Sequence, residues 1–359
     1  METYRGHLYN WYDTQTLLPL EPKYVSTVDS GNLAGHFIAL ANYCDQWAME
    51  LPDNLQKLDG LTDVVDVLAG TLAAIPDDRR NLRPMRKSMD IKLAAFRERV
   101  VGARQTPELL PMRLIEFAVQ ATGIHEAVNE FQTALGTPAG LELFTWAETL
   151  QQTIETHFRD GSMSHEALLK QRQLLENLAF QSRSLAEHME FGFLLDPERL
   201  LFSIGFRVPE AMRDESCYDM LASEARLGSF FAIAKGDLRT RHWFRLGRTV
   251  TAVKGGAALV SWSGSMFEYL MPSLVMRAPF GSLLDQTTRL IVRRQIDYGN
   301  SLNVPWGVSE SAFNARDIEF TYQYSNFGIP GLGLKRGLSE NLVISPYATG
   351  LASMVSPRL

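Results

Sequence analysis

Residues 164–206 read SHEALLKQRQLLENLAFQSRSLAEHMEFGFLLDPERLLFSIGF, and their hydrophobic period changes halfway. Up to Met189, apolar residues recur at helical spacing: Leu168, Leu174, Leu175, Leu178, Leu185 and Met189. Glu, Gln, Arg and Lys fill the rest, so the spacing predicts a long amphipathic helix from about Ser164. From Met189 to Phe206 the pattern is extended around Asp196-Pro197, a β-hairpin signal. This switch separates two styles of chain. Residues 1–50 open with an aromatic and polar loop and become a helix, with Phe37, Leu40, Ala41, Cys44, Trp47 and Leu51 as its stripe. Asp29 or Ser30 is the expected N-cap. Residues 51–190 form a helical scaffold, punctuated by IPDDRRN (75–81) and RQTPELLP (104–111), with no catalytic constellation. Residues 191–359 mix helices with hairpins. A helix is expected from about Tyr218 to Lys235, a second hairpin around Gly255-Gly256, and helices near 264–276 and 282–299. Loops rich in Gly and aromatics follow. The expected fold is all-α, a toroid of helices with short β-hairpins in its loops and the active site at one end.

Composition narrows the function classes. Of 359 residues, 45% are hydrophobic and 21% charged, as in ordinary globular proteins, which excludes a disordered tail, a collagen-like rod and a disulfide scaffold. Thirty-five Lys and Arg face 41 Asp and Glu, a net charge of −6, so nothing global attracts nucleic acid or an anionic membrane. The two cysteines, Cys44 and Cys217, form no CxxC, and the seven histidines show no HExxH spacing, so neither a metal nor another cofactor is expected. No apolar run is long enough to span a bilayer and the N-terminus lacks a signal-peptide core, so this chain by itself is expected to be soluble. There is no GxSxG elbow and no phosphate-binding GxxxxGK[ST] loop. FGIPGLGLKRG (327–337) lacks the strand–helix context of a nucleotide fingerprint and reads as a tight loop.

Carboxylates in unusual company are the remaining signal. Glu310 lies in PWGVSESA (305–312), either a loop presenting a carboxylate beside a stacking Trp or the first turn of a following helix. Glu224 lies in LASEAR (221–226), mid-helix among small residues, where a Glu near Arg226 is more often a solvated pair. Glu268, in SWSGSMFEY (261–269), follows a polar aromatic loop. Asp29, in STVDSGN (26–32), has helix capping as its commoner role. Carboxylates among Trp, Tyr, Asn and Arg suit carbohydrate chemistry, because aromatic faces stack on sugar C–H faces and polar groups pair with hydroxyls. Glycosidic bond cleavage needs one carboxyl as acid and another as base or nucleophile.

Long, chemically odd blocks then match a family. They are RGHLYNWYDTQTLLPLEPKYVSTVDSGNLAG (5–35), DPERLLFSIGF (196–206), YDMLASEARLGSFFAIAKGD (218–237), HWFRLGR (242–248), SWSGSMFEYLMPSLVMR (261–277), VPWGVSESAFNARD (304–317) and YQYSNFGIPGLGLKRGL (322–338). The chain resembles the central, glucoamylase-like domain of cyclic β-1,2-glucan synthases. The resemblance implies an (α/α)6 barrel and a single glucoamylase-like domain over 1–359. It implies ring closure of a linear β-1,2-glucan by an anomer-retaining, two-carboxylate transglycosylation. Glu310 would be the nucleophile and Glu224 the acid/base. It also offers Asp29, Trp262, Glu268, Trp306, Tyr322 and Asp13 as glucan contacts, while Arg226, Arg316 and Asp317 either bind sugar hydroxyls or pair with one another. The partners it implies are the glucan chain and the glycosyltransferase and phosphorylase-like domains of a large inner-membrane synthase, with this domain on the cytoplasmic side. RGHLYNWYD stands close to the start and Ser356-Pro357-Arg358-Leu359 ends the chain, so the barrel is expected to be incomplete at both ends. An endo-β-1,2-glucanase that admits water, or a non-catalytic glucan-binding fragment, are the competing readings.

Overall fold

The computed structural model describes residues 1–49 and 53–356. Leu51 of the expected stripe and the terminal Pro357-Arg358-Leu359 lie outside the described residues. The chain is mostly helical, an all-α class, with strand confined to short pairings. It divides into two compact units: Cys44–Asn177, and Met1–Tyr43 together with the chain from Leu178 onward. The boundaries fall within α1 (Thr27–Met49) and α6 (His165–Glu187).

In the unit Cys44–Asn177, α2 (Asn54–Ala74), α3 (Arg83–Ala103), α4 (Leu110–Leu135) and α5 (Pro138–Gly161) form an up-down bundle. Each packs against two others, in the cyclic order α2–α3–α4–α5. The cause is visible in the buried stripes. Leu58, Leu61, Val65, Leu68 and Leu72 on α2, and Leu114, Phe117, Ala121, Ile124 and Val128 on α4, alternate steps of three and four. Asp53 caps α2 by accepting from Gln56 N–H at 2.8 Å, and α4 stops at Gly136, whose φ of 63° suits glycine.

The other unit holds every side chain proposed for catalysis. Helix α1 begins at Thr27, two residues before the expected cap, because Ser26 Oγ accepts from Asp29 N–H at 3.3 Å. β1 (Tyr24–Ser26) precedes it. The Asp196-Pro197 hairpin is β2 (Leu195–Asp196) with β3 (Leu201–Phe202), and β4 (Gly205–Arg207) pairs antiparallel with both β1 and β5 (Met212–Arg213). Two corrections concern helices. On α6 the buried face is Leu175, Ala179, Ser182, Ala186 and Met189, while Leu174, Leu178 and Leu185 are exposed. Small residues are buried and the larger leucines are exposed. The helix expected from Tyr218 is only α7 (Arg226–Lys235). Ser223 takes a left-handed φ of 51°, which no helix interior admits.

After α8 (Arg241–Arg245), β6 (Val250–Val253) and β7 (Gly256–Leu259) make the second hairpin. The helix expected near 264–276 is shorter: α9 (Met266–Leu270) runs into a 3₁₀ turn, Met271–Leu274. Next come α10 (Leu283–Leu302), β8 (Ser311–Arg316) paired with β9 (Tyr322–Ser325), and α11 (Pro346–Ser353). Glu310 therefore opens onto a strand, which removes the helix-cap reading for it.

Two contacts position the site. His7 is fully buried, with Nδ1 2.9 Å from Ser30 Oγ and Nε2 2.8 Å from Glu190 O, so it fastens the N-terminal loop to α1. Burial pulls its pKa down to about 4, which keeps the ring neutral. Gly31 of α1 and Gly228 of α7 meet backbone to backbone: a Cβ on Gly31 would lie 2.6 Å from Gly228 Cα. Gly31→Ala should therefore cost about 1–3 kcal/mol by overpacking. Gly70→Ala, in mid-α2 with nothing within 4 Å, should instead gain about 0.5–1 kcal/mol. Denaturant midpoints of the two variants check both signs.

Candidate active site

Glu224 ends an irregular turn just before α7. Its backbone is set from outside the turn. Ser223 N–H donates to Glu268 Oε1 at 3.2 Å, and Trp262 N–H donates to Leu221 O at 3.0 Å. The carboxyl is only 5% exposed. Asn32 Nδ2 donates to its Oε1 at 2.8 Å, and Ser223 Oγ donates to its Oε2. Burial raises the Glu224 pKa above the ordinary carboxylate value, and these two donors work against that rise.

Glu310 is held by backbone rather than by side-chain donors. Gln295 of α10 clamps Val308 on both sides, accepting from its N–H at 3.0 Å and donating to its carbonyl at 2.9 Å. Ser309 Oγ lies 2.9 Å from Ser265 Oγ and 2.8 Å from the Tyr347 hydroxyl. Tyr347 then donates to Glu310 O at 2.7 Å. Burial, and next the Glu224 charge, push the Glu310 carboxyl up to about 7, with the Tyr324 hydroxyl opposing. The two carboxyl groups thus interact electrostatically, and both are raised above the ordinary carboxylate value.

Glu268 lies beneath them, 1% exposed. Besides Ser223 N–H, it accepts from Ser263 N–H at 2.9 Å and Ser263 Oγ at 2.7 Å. Arg226 is equally buried, and its guanidinium donates to the carbonyls of Glu268 and Tyr269 at 2.9 and 2.8 Å. Burial draws it down to about 10, so it stays a cation at neutral pH. The glycine loop 327–337 closes over this layer: a Cβ on Gly328 or Gly333 would strike the backbone of Ser263 and Gly264.

No protein-family model matches the chain. It is 50% identical, over all 359 residues, to the cyclic beta-(1,2)-glucan synthase NdvB of Rhizobium meliloti (strain 1021). The match falls on one segment of that synthase. It spans 13% of the length of that synthase.

Against this background, the structure brings some of the expected residues together and sets others apart. Glu224, Glu310 and Glu268 converge. Asp29 joins them electrostatically, its charge reaching Glu224, and it lines a cavity of about 390 Å³ with Tyr9, Asn10 and Ser30. Trp262 stands exposed on the loop above Glu268. Trp306 is half-buried and packs against the core beside Gly299. Arg226 is a buried anchor rather than half of a solvated pair with Glu224. Arg316 donates to the Tyr322 hydroxyl at 2.6 Å and stacks over its ring, so these two bind each other. Asp317 closes the β8–β9 turn through Thr321. Asp13 Oδ1 accepts from Gln15 N–H, Thr16 N–H and Thr16 Oγ1, all within its own turn. Among the described residues no three His, Cys, Asp or Glu side chains gather as a metal site, and both cysteines are free.

Residue reading missed Asn32, Ser223, Ser309, Tyr324 and Tyr347. A usable signal existed for Tyr324 alone: it follows Tyr322 by two on a strand and so shares its face. The serines of SWSGS and VSES hinted at a polar lattice, but no spacing rule pairs them.

The raised Glu310 pKa has a stability consequence. Between the ordinary value of 4.5 and about 7, the folded chain holds a proton here that the unfolded chain has released. Stability therefore falls as pH rises through that window. Glu310→Gln cannot ionise, so its stability relative to wild type should improve by about 3 kcal/mol across the window. Urea midpoints taken from acid to neutral pH test this, and a pH-independent gap contradicts it.

Proposed function

We propose that this chain is the ring-closing transglycosylase segment of a cyclic β-1,2-glucan synthase, with Glu224 and Glu310 as its catalytic pair. The observation that carries this reading is the electrostatic interaction of a buried and a half-buried carboxyl group, Glu224 and Glu310, in a chain 50% identical to such a synthase. The architecture we assign is an (α/α)6 toroid of the glucoamylase type. Helices alternating with hairpins, and site residues carried on the connecting loops, support it. In the full-length synthase we place this segment on the cytoplasmic side of the inner membrane, beside glycosyltransferase and phosphorylase-like domains. None of its described helices is long and apolar enough to cross a membrane.

The chemistry follows from the pair. Glu310 attacks the anomeric carbon of a linear β-1,2-glucan, while Glu224 gives its proton to the departing glycosidic oxygen. A glycosyl-enzyme ester forms and the reducing-side fragment leaves. Glu224, now a carboxylate, takes the proton of the 2-hydroxyl at the non-reducing end of the same chain. That oxygen displaces Glu310, and the ring closes with the β configuration restored. One β-1,2 bond is exchanged for another, so no energy donor is consumed.

The partners of each carboxyl support this order of roles. Glu224 touches an amide and a hydroxyl, both able to donate or accept, and Arg226 turns its cation away towards backbone carbonyls. Nothing pins Glu224 in one charge state, as an acid that becomes a base requires. Exposed Trp262 is placed to cover the sugar and exclude water.

The test is turnover of linear β-1,2-glucan by the purified chain, with products digested by an exo-acting β-glucosidase and weighed. Cyclic products resist digestion and are lighter than linear ones by one water. Glu224→Gln and Glu310→Gln should each lower turnover by about 10²–10⁴-fold. Peptide mapping of a trapped glycosyl-enzyme should find the sugar on Glu310. Short linear products alone would make the chain a hydrolase, and no turnover by the folded wild type would sink both enzyme readings.

A further inference from the structure

The Glu224 carboxyl depends on a residue far away in sequence. Asn32 sits one position after Gly31, on the turn of α1 that crosses α7 backbone to backbone. Neither helix can carry a side chain at that crossing, so Asn32 comes close enough to donate to Glu224 Oε1 at 2.8 Å across 192 residues. The other end of the same amide is unusual. Asn32 Oδ1 is buried and has no hydrogen-bond partner. A buried acceptor left unpaired costs about 1–3 kcal/mol, so the geometry that imposes it calls for a reason.

An amide has two faces, a donor and an acceptor, exchanged by rotating its terminal torsion by half a turn. Facing the ionised carboxyl, Asn32 presents N–H. Facing the protonated carboxyl, it can present the carbonyl oxygen that now lacks a partner and accept the acid proton. Ser223 Oγ on the opposite oxygen has the same dual capacity. Each form of Glu224 therefore finds matching partners without moving its backbone, which Glu268 and Trp262 hold in place.

We infer that Asn32 is a positioning residue for Glu224: through the Gly31–Gly228 crossing it holds the acid/base carboxyl in one place and matches it in both of its protonation states. This rests on the catalytic reading of Glu224 given above. Asn32 makes no bond to the sugar in this scheme and acts only through Glu224. In the observed orientation it stabilises the ionised form, so its removal should raise the Glu224 pKa. The alkaline limb of the pH profile, where Glu224 loses the proton it must donate, should then move upward.

The experiment compares wild type with Asn32→Ala and with Asn32→Asp, which keeps the size of the side chain but loses the donor. The expected result is a kcat lowered about 10–100-fold near neutral pH, an unchanged KM for linear β-1,2-glucan, and an alkaline limb shifted up by about 0.5–1 pH unit. A purely structural role would lower activity with an unmoved profile, and that outcome overturns the inference. A second readout does not depend on turnover. In protein labelled with ¹³C at glutamate carboxyls, the resonance missing from Glu224→Gln should titrate at higher pH in Asn32→Ala than in wild type. An unshifted titration refutes the role of Asn32 whatever the substrate proves to be. A shifted titration in a chain that never turns over glucan leaves the Asn32–Glu224 device standing and refutes the proposed activity instead.

Discussion

Glu268 has almost no contact with solvent, and both of its oxygens are committed. A buried carboxyl without donors would be far too costly, so the chain around it is arranged to supply them. Ser223 N–H comes from the turn before α7, and Ser263 N–H and Oγ come from the loop before α9. The next residue, Tyr269, places its hydroxyl 2.8 Å from the carbonyls of Leu259 and Leu332 and accepts from Ser261 N–H at 3.0 Å. Arg226 completes the layer by donating to the carbonyls of both residues. Three stretches of chain, around Ser223, Ser261 and Leu332, are joined through two adjacent side chains. The left-handed backbone of Ser223, unfavourable alone, persists because this layer fixes it.

The three glutamates then form a graded series. Glu268 accepts three fixed bonds and is wholly occupied. Glu224 accepts two, both from groups that can reverse their role. Glu310 meets one side-chain hydroxyl, Tyr324, while its neighbours Ser309 and Tyr347 serve its backbone. As saturation falls, freedom to exchange a proton or form a bond rises. Stability and reactivity are thus assigned to different carboxyls within one small volume. The folding penalty of the raised Glu310 pKa is the counterpart of that freedom.

How much of this was legible in the residues depends on how local the cause was. The all-α class and both hairpins follow from period and turn chemistry, and they stand. The phase of α6 misled because leucine outweighs alanine in any hydrophobic pattern, yet Ala179, Ser182 and Ala186 are the residues buried. The helix expected from Tyr218 was interrupted by Ser223, whose conformation is set by a carboxylate 45 residues away. Glu310 precedes a strand because Gln295 seizes Val308 and β9 pairs with β8, and neither partner is a sequence neighbour. Asn32 could not be singled out at all, since its place depends on two glycines meeting across the fold. The residue types around Glu310 and Glu268 marked them as candidates, whereas Glu224 read locally as half of a solvated pair with Arg226, because neither its burial nor that of Arg226 shows in the neighbouring residues.

The bundle Cys44–Asn177 is continuous in sequence, whereas the unit that holds the candidate site is assembled from pieces on either side of it. Its contacts are local, and helical bundles of this kind form quickly. The bond between Asn32 and Glu224, by contrast, must close a loop of 192 residues. Closing a loop costs entropy that grows with the free chain within it. Once the bundle has formed, most of that loop is no longer free chain, and the remaining search is correspondingly smaller. An element with no side chain in the candidate site thereby influences the order in which that site is made.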